Sequence, residues 1–253
     1  MPKNDRFKGH TVIITGASSG IGRKTAELFL SEGAKIVVFD TDENGAASFI
    51  SETDGVVRFF HVDVTSEDNV KDAVAAADKA FGSIDVLVNC AGVFAEGDVA
   101  GTDLETWRRI LDVNLTGTFL CMKYALGTML SRGSGNIVNI ASEAGLAAIH
   151  GQAAYNVSKA AVIMLTKSAA RDYAARGVRV NCVCPGRIMT PLVQKIIDAS
   201  PSPRETFENL SYDRPMMRMG TTLDIANACL ALASDEMPYA TGCVMSVDGG
   251  YTL

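Results

Sequence analysis

The sequence predicts an α/β fold: one domain on a doubly wound, seven-stranded parallel sheet with helices on both faces. Three observations carry the prediction. Short β-branched runs without polar alternation recur along the chain, as strands covered on both faces require. Helical patterns separate them, and that alternation produces parallel pairing through crossover helices. Residues with chemistry to offer fall repeatedly at the strand ends, the edge where such sheets bind ligands. A length of 253 residues suits one domain, and a 47% hydrophobic content fills its core.

Taken in order, HTVIIT (His10 to Thr15) is the first buried strand. Gly16, Ser18, Ser19, Gly20, Ile21 and Gly22 follow in a G-x-x-x-G-x-G turn, and RKTAELFLSEG reads as an amphipathic helix stopped by Gly33. Glycines between a strand and a helix let backbone N–H groups approach a pyrophosphate, and the helix N-terminus adds partial positive charge. AKIVVFD is the second strand. It ends at Asp40, 18 residues past Gly22, where an acid accepts the ribose hydroxyls of an adenosine and repels a 2′-phosphate. No Arg or Lys lies between Ile36 and Ala47 to reverse that, so the expected coenzyme is NAD. Asp40 serving only as a helix N-cap is the competing reading.

VVRFFHVD is the third strand, closed by Asp63 and Val64 where an adenine ring would lie. Ser66 caps a helix that Gly82 ends. IDVLVNCAG is the fourth strand, and Asn89, Ala91 and Gly92 are small enough at its end for coenzyme to pass the backbone. One long helical pattern then runs from Leu104 to Arg132 with Asn114 in its middle. An amide there needs a local task, in catalysis or in a structural network. GNIVNIAS is the fifth strand, ending at Ser142; VRVNCVCPG is the sixth, ending at Pro185 and Gly186; CVMSVDGG is the seventh. Between the last two, residues 187–220 carry several prolines and methionines and read as a lid of short helices.

The helix beginning AAYNVSK sets Tyr155 and Lys159 one turn apart on one face. Val157, Ala161, Leu165 and Ala169 mark its expected apolar stripe, and Gly177 its C-terminal stop. A phenol with a free pKa of about 10 is a poor base at neutral pH. An ammonium at ~4 Å contributes on the order of 4 kcal/mol at a dielectric near 20, enough to lower it by up to about three units. A core tyrosine beside a snorkelling lysine is the other reading of the spacing.

The net charge of −6 and the absence of a basic run argue against a nucleic-acid or anionic-membrane partner. No stretch is apolar enough for a signal peptide or a membrane span, and six cysteines without metal spacing read as buried free thiols. No metal is expected, and reduced thiols place the protein in the cytoplasm.

TGASSGIG, NCAG, Asn114, Ser142, YNVSK, Pro185-Gly186 and the closing VDGG, in this order and spacing, resemble the short-chain dehydrogenase/reductase family over nearly the whole chain. The resemblance implies a Rossmann-type fold and a catalytic set of Asn114, Ser142, Tyr155 and Lys159. It also implies a coenzyme site that includes the backbone at Ile188 and Thr190, and a homotetramer that packs the long helix and the Tyr helix against a neighbour's. The expected reaction is interconversion of a secondary alcohol and a ketone with NAD(H). Tyr155 would handle the proton, Lys159 lower its pKa, Ser142 orient the substrate oxygen, and Asn114 hold a relay water. Sugar or polyol dehydrogenation, 3-oxoacyl reduction and a non-catalytic NAD sensor remain alternatives. Glu143, Ala144, Leu146, His150, Gln152, Ile188, Met189 and Leu192, with residues around Val93 and Phe94, are candidates to line a mostly apolar substrate pocket.

Overall fold

Seven parallel strands form one sheet, in the spatial order β3 (Val57–His61), β2 (Lys35–Asp40), β1 (Thr11–Thr15), β4 (Val86–Asn89), β5 (Gly135–Ile140), β6 (Val178–Pro185), β9 (Val244–Val247). The computed structural model describes residues 5–51, 53 and 55–253; Met1–Asn4, the start of the segment read as lacking a leader, lie outside them. Two buried clusters sandwich the sheet. Val12, Ile14, Val38 and Val88 point into one, while Ile13, Val37, Leu87 and Ile137 point into the other. Both faces of the central strands are therefore apolar, which is why these strands show no alternation.

Helices α1 (Gly20–Ser31), α2 (Glu43–Ser51), α3 (Glu67–Phe81), α4 (Leu104–Leu111), α5 (Thr118–Arg132), α6 (Ala153–Tyr173) and α9 (Thr222–Ala233) pack on the sheet or follow its edge. Local rules place their ends. Ser66 accepts from Asn69 N at the start of α3, and Gly82 ends it at φ 81°. Gly177 turns the chain at φ 80° after a 3₁₀ extension of α6.

The pattern read as one helix from Leu104 to Arg132 is not uniform. Residues Asp112–Gly117 form a π-helical turn between α4 and α5, with Asn114 buried inside it. The wider turn spares an amide residue a regular helical site and aims its side chain at the loop after β4. The buried face of α6 also differs from the expected stripe. It runs through Ala154, Ser158, Val162, Thr166 and Ala169, leaving Val157 46% exposed. The face is rotated because Ser158 and Lys159, polar in sequence, point inward.

Residues 187–220 hold α7 (Pro191–Asp198) and α8 (Pro203–Tyr212). A two-stranded parallel pairing of β7 (Ile188–Met189) with β8 (Gly220–Thr221) ties the two ends of this segment together. Among the described residues no helix is long and apolar enough to cross a membrane.

Candidate active site

The turn after β1 is shaped by what it must pass. Gly16 has φ +68° and sits so close to the loop after β4 that a Cβ would lie 2.9 Å from Ala91 N and Cα. Ala91 N and Cys90 N both donate to Thr15 Oγ1, at 2.9 and 3.0 Å, which draws the two loops together. A Cβ on Gly22 would lie 2.2 Å from Gly16 O, so α1 can start here only with glycine. Ser19 occupies the N-cap position yet makes no side-chain cap bond, and the first turn of α1 holds no acid. This uncapped, positively polarised end fits the pyrophosphate of a dinucleotide.

Asp40 stands next to this turn. Its Oδ2 accepts from Ser18 N at 2.9 Å and its Oδ1 from Asp42 N at 3.0 Å, while Ser18 Oγ donates to Asp42 O at 2.7 Å. Asp42, not Asp40, makes the local bond at the start of α2, accepting from Gly45 N. The capping reading of Asp40 therefore fails. One cation does reach this region from outside residues 36–47. Arg23 lies over the Phe49 ring at 4.3 Å, approaches Gly45 O at 3.4 Å and is ion-paired with Glu27 at 2.9 Å.

The other expected coenzyme positions divide into two kinds. Asp63 accepts from Thr65 N and Oγ1, and Val64 is buried against Gly117. Asn89 turns inward: its Nδ2 donates to Asn139 Oδ1 at 2.8 Å, and its buried Oδ1 has no partner among the described residues. What the end of β4 presents is thus backbone and the space at Gly92, not the Asn89 amide. Pro185 closes β6, Gly186 N donates to Val247 O, Ile188 is core, and Thr190 caps α7 by accepting from Val193 N.

The phenol and ammonium meet at this edge. Lys159 is buried, and its Nζ donates to Ile140 O at 2.9 Å and lies 5.7 Å from the Tyr155 ring centroid. Burial drags the amine down to about 8 from its ordinary 10.5. Tyr155 moves opposite to the expected direction. Burial raises its pKa, a hydrogen bond from Ser142 pulls only partly back, and Glu143 and Cys90 push it further up. The low-dielectric site that was to strengthen the cation's pull penalises the phenolate more. Phe94, 37% exposed, packs edge-on against Tyr155 with centroids 5.2 Å apart.

Asn114 joins the loop after β4 to α6. Its Oδ1 accepts from Val93 N at 2.8 Å, and its Nδ2 donates to Val93 O at 3.0 Å and Ser158 Oγ at 3.1 Å. Both amide hydrogens and one lone pair are used, leaving one lone pair. That oxygen lies 3.3 Å, and Lys159 Nζ 3.5 Å, from where a Cβ on Gly92 would stand.

The expected substrate residues separate. Leu146, His150 and Leu192 are exposed, and Gln152 and Met189 are half-buried. Ala144 is buried and donates its N–H to Ser142 Oγ at 3.1 Å. Glu143 is withdrawn from the set: it is 3% exposed and ion-paired with buried Arg214, Nη1 to Oε2 at 3.1 Å. Arg214 was not among the sequence candidates. Nothing local marks it, because its partner lies 71 residues away.

A family model described as enoyl-(acyl carrier protein) reductase matches residues 16–252. The chain is 41% identical over 253 residues to 2-(S)-hydroxypropyl-CoM dehydrogenase 3 of Xanthobacter autotrophicus, covering 98% of this chain and 99% of that one. It resembles the ligand-free structure of Thermoplasma acidophilum aldohexose dehydrogenase, with a TM-score of 0.89, 38% identity and coverage of 98% and 96%. The NADP-bound structure of ElxO superposes with a TM-score of 0.91, 36% identity and coverage of 96% and 98%.

Proposed function

The chain belongs to the short-chain dehydrogenase/reductase family, and on that premise we propose that this oxidoreductase interconverts a secondary alcohol and a ketone with NAD(H). The observation that carries the reading is Tyr155 one helical turn from the buried Lys159 ammonium, beside the glycine turn, with Ser142 acting to lower the phenol pKa. A bound nicotinamide supplies or accepts the hydride. Tyr155 gives the proton to the ketone oxygen or takes it from the alcohol. Ser142 donates a hydrogen bond to the same oxygen and fixes its place beside the phenol. Lys159, held by Ile140 O, offers its remaining donors to the ribose hydroxyls and its charge to the phenolate.

Asn114 keeps the Val93 loop against α6. Its spare lone pair, with Lys159 Nζ across the gap at Gly92, makes a place for the relay water. Burial sets the phenol high, so the positive charge that an oxidised nicotinamide would bring beside it is part of what would draw Tyr155 into its working range.

The preference for NAD rests on Asp40, fixed by two backbone amides where the adenosine ribose would lie, and on Arg23 being engaged by Glu27. Residues 187–220 act as the lid, hinged at the β7–β8 pairing, with Leu192 and Ile196 presenting apolar surface to a small or cyclic substrate. Apolar side chains left exposed on α5 and α6, Phe119 and Met164 among them, support assembly into a homotetramer. Thiols kept free fit the cytoplasm.

A sugar or polyol substrate is the second reading, favoured by the likeness to the aldohexose dehydrogenase. A 3-oxoacyl reductase fits less well: it ordinarily wants a basic residue where Ser19 stands, and it prefers NADP.

The test is Tyr155→Phe, assayed with secondary alcohols, ketones and aldoses against NAD(H) and NADP(H). Turnover should fall by about 10²- to 10⁴-fold while NADH affinity stays within a few-fold. Undiminished turnover removes Tyr155 from the mechanism.

A further inference from the structure

Arg214 is the one guanidinium among the described residues that is buried at the coenzyme edge of the sheet, and it touches every loop that closes the site from that side. Its side chain is 1% exposed. Nη1 donates to Glu143 Oε2 and to Asp248 O, both at 3.1 Å, and Nε donates to Asp213 Oδ1 at 2.9 Å. The guanidinium carbon lies 5.4 Å from the centroid of the Tyr251 ring. Asp213 is also paired with Arg187 at 3.3 Å. A Cβ on Gly186 would stand 2.5 Å from Arg214 Nη1, 2.6 Å from Asp248 Cα and 2.7 Å from Glu143 Oε2. The loops after β5, β6 and β9 and the end of residues 187–220 therefore converge on one side chain.

The first of those loops begins with Ser142. Glu143 follows it directly in a 3₁₀ turn, Glu143–Gly145, whose next amide, Ala144 N, donates to Ser142 Oγ. The far side of the turn is wedged against α6, where a Cβ on Gly145 would stand 2.7 Å from the Lys159 carbonyl carbon. The turn is thus held between two neighbours, α6 on one side and the segment bearing Arg214 on the other. Stability alone does not account for the pair. Burying two ions carries a desolvation cost that their attraction need not recover, and apolar replacements of whole buried pairs are often neutral or stabilising.

We propose that Arg214 is a positioning residue for Ser142. By gripping Glu143 together with Asp248 O, it sets the Ser142 hydroxyl only when residues 187–220 and the C-terminal turn are docked. This rests on the reading that Ser142 orients the substrate oxygen, and it adds that the hydroxyl's placement is conditional on the lid. The C-terminal turn is built to be held this way, since Asp248 accepts from Gly250 N, Thr252 N and Thr252 Oγ1 and presents its carbonyl to Arg214.

The experiment compares Arg214→Met, the double variant Glu143→Gln with Arg214→Met, Glu143→Gln alone and Ser142→Ala, reading kcat, KM for alcohol and for NAD, and thermal midpoint. Arg214→Met strands the Glu143 carboxylate and should lower the midpoint. The double variant removes that stranded charge and should regain the midpoint, yet keep a kcat about 10- to 100-fold below wild type with KM for NAD within about threefold. A purely structural role predicts that kcat returns with the midpoint; a double variant turning over within threefold of wild type overturns the proposal. If neither Arg214 variant folds, Glu143→Gln alone decides, with a kcat loss of about threefold or more expected and an unchanged kcat overturning it. Ser142→Ala separates the two levels. Full turnover there sinks the role given to Ser142, whereas an inactive Ser142→Ala beside a fully active double variant sinks only the role of Arg214.

Discussion

Replacing Asp40 with Asn removes one negative charge from the end of β2 and keeps the shape of the side chain. In the wild type the carboxylate is held by Ser18 N at 2.9 Å and Asp42 N at 3.0 Å, so it cannot swing away from an incoming 2′-phosphate. Two like charges at ~4 Å repel by about 4 kcal/mol at an effective dielectric near 20 and about 1 kcal/mol in bulk water. Asp40 is half-buried, so the discrimination should fall between these limits. At ~1.4 kcal/mol per decade, that is a shift of roughly 5- to 1,000-fold in the NADP/NAD ratio of kcat/KM. The assay is initial rates with both coenzymes for wild type and Asp40→Asn, at low salt and near 1 M salt, where a Debye length of about 3 Å should shrink the difference. Asn keeps only one of the two amide bonds, so a thermal midpoint must accompany the rates. Equal use of NAD and NADP by the wild type, or a ratio that moves less than twofold in the variant, would refute the assignment of Asp40.

Three further outcomes are expected. Lys159→Met should abolish turnover yet stabilise the protein at pH 7. The buried amine has its folded pKa depressed to about 8 from 10.5, so the cost of burying the charge, about 3 kcal/mol, is fully present below pH 8 and is relieved as pH rises toward 10.5. A midpoint gap between variant and wild type that fails to shrink between pH 8 and 10 counts against it. Because burial raises the Tyr155 pKa, alcohol oxidation, which needs the phenolate, should quicken from neutral to alkaline pH, while ketone reduction stays flat through neutral and declines only on the alkaline side; pH–rate profiles in both directions check this, and an oxidation rate flat across that range contradicts it. Gly16→Ala imposes a left-handed φ of +68°, roughly 1–2 kcal/mol, and drives a methyl to within 2.9 Å of the Ala91 backbone. NADH affinity, measured by fluorescence titration, should fall at least about tenfold.

The parts that obey local rules are legible in the residues alone. Buried strands announce themselves by β-branched runs, Ser66 and Gly82 by cap chemistry, the glycine turn by its place between a strand and a helix, and the Tyr155–Lys159 pair by helical spacing. Each depends on neighbours a few residues away, so a string of residues contains it. The rest follows from contacts that form only when distant segments pack together. The π turn around Asn114 exists because its amide finds Val93 and Ser158 across space. Arg23 enters the Asp40 region from α1, outside any window centred on β2. Glu143, which as a sequence position suited a substrate contact, is claimed by Arg214 from the far end of the chain. The direction of the Tyr155 shift depends on how much water the folded site excludes, and that quantity belongs to the packed molecule, not to any spacing.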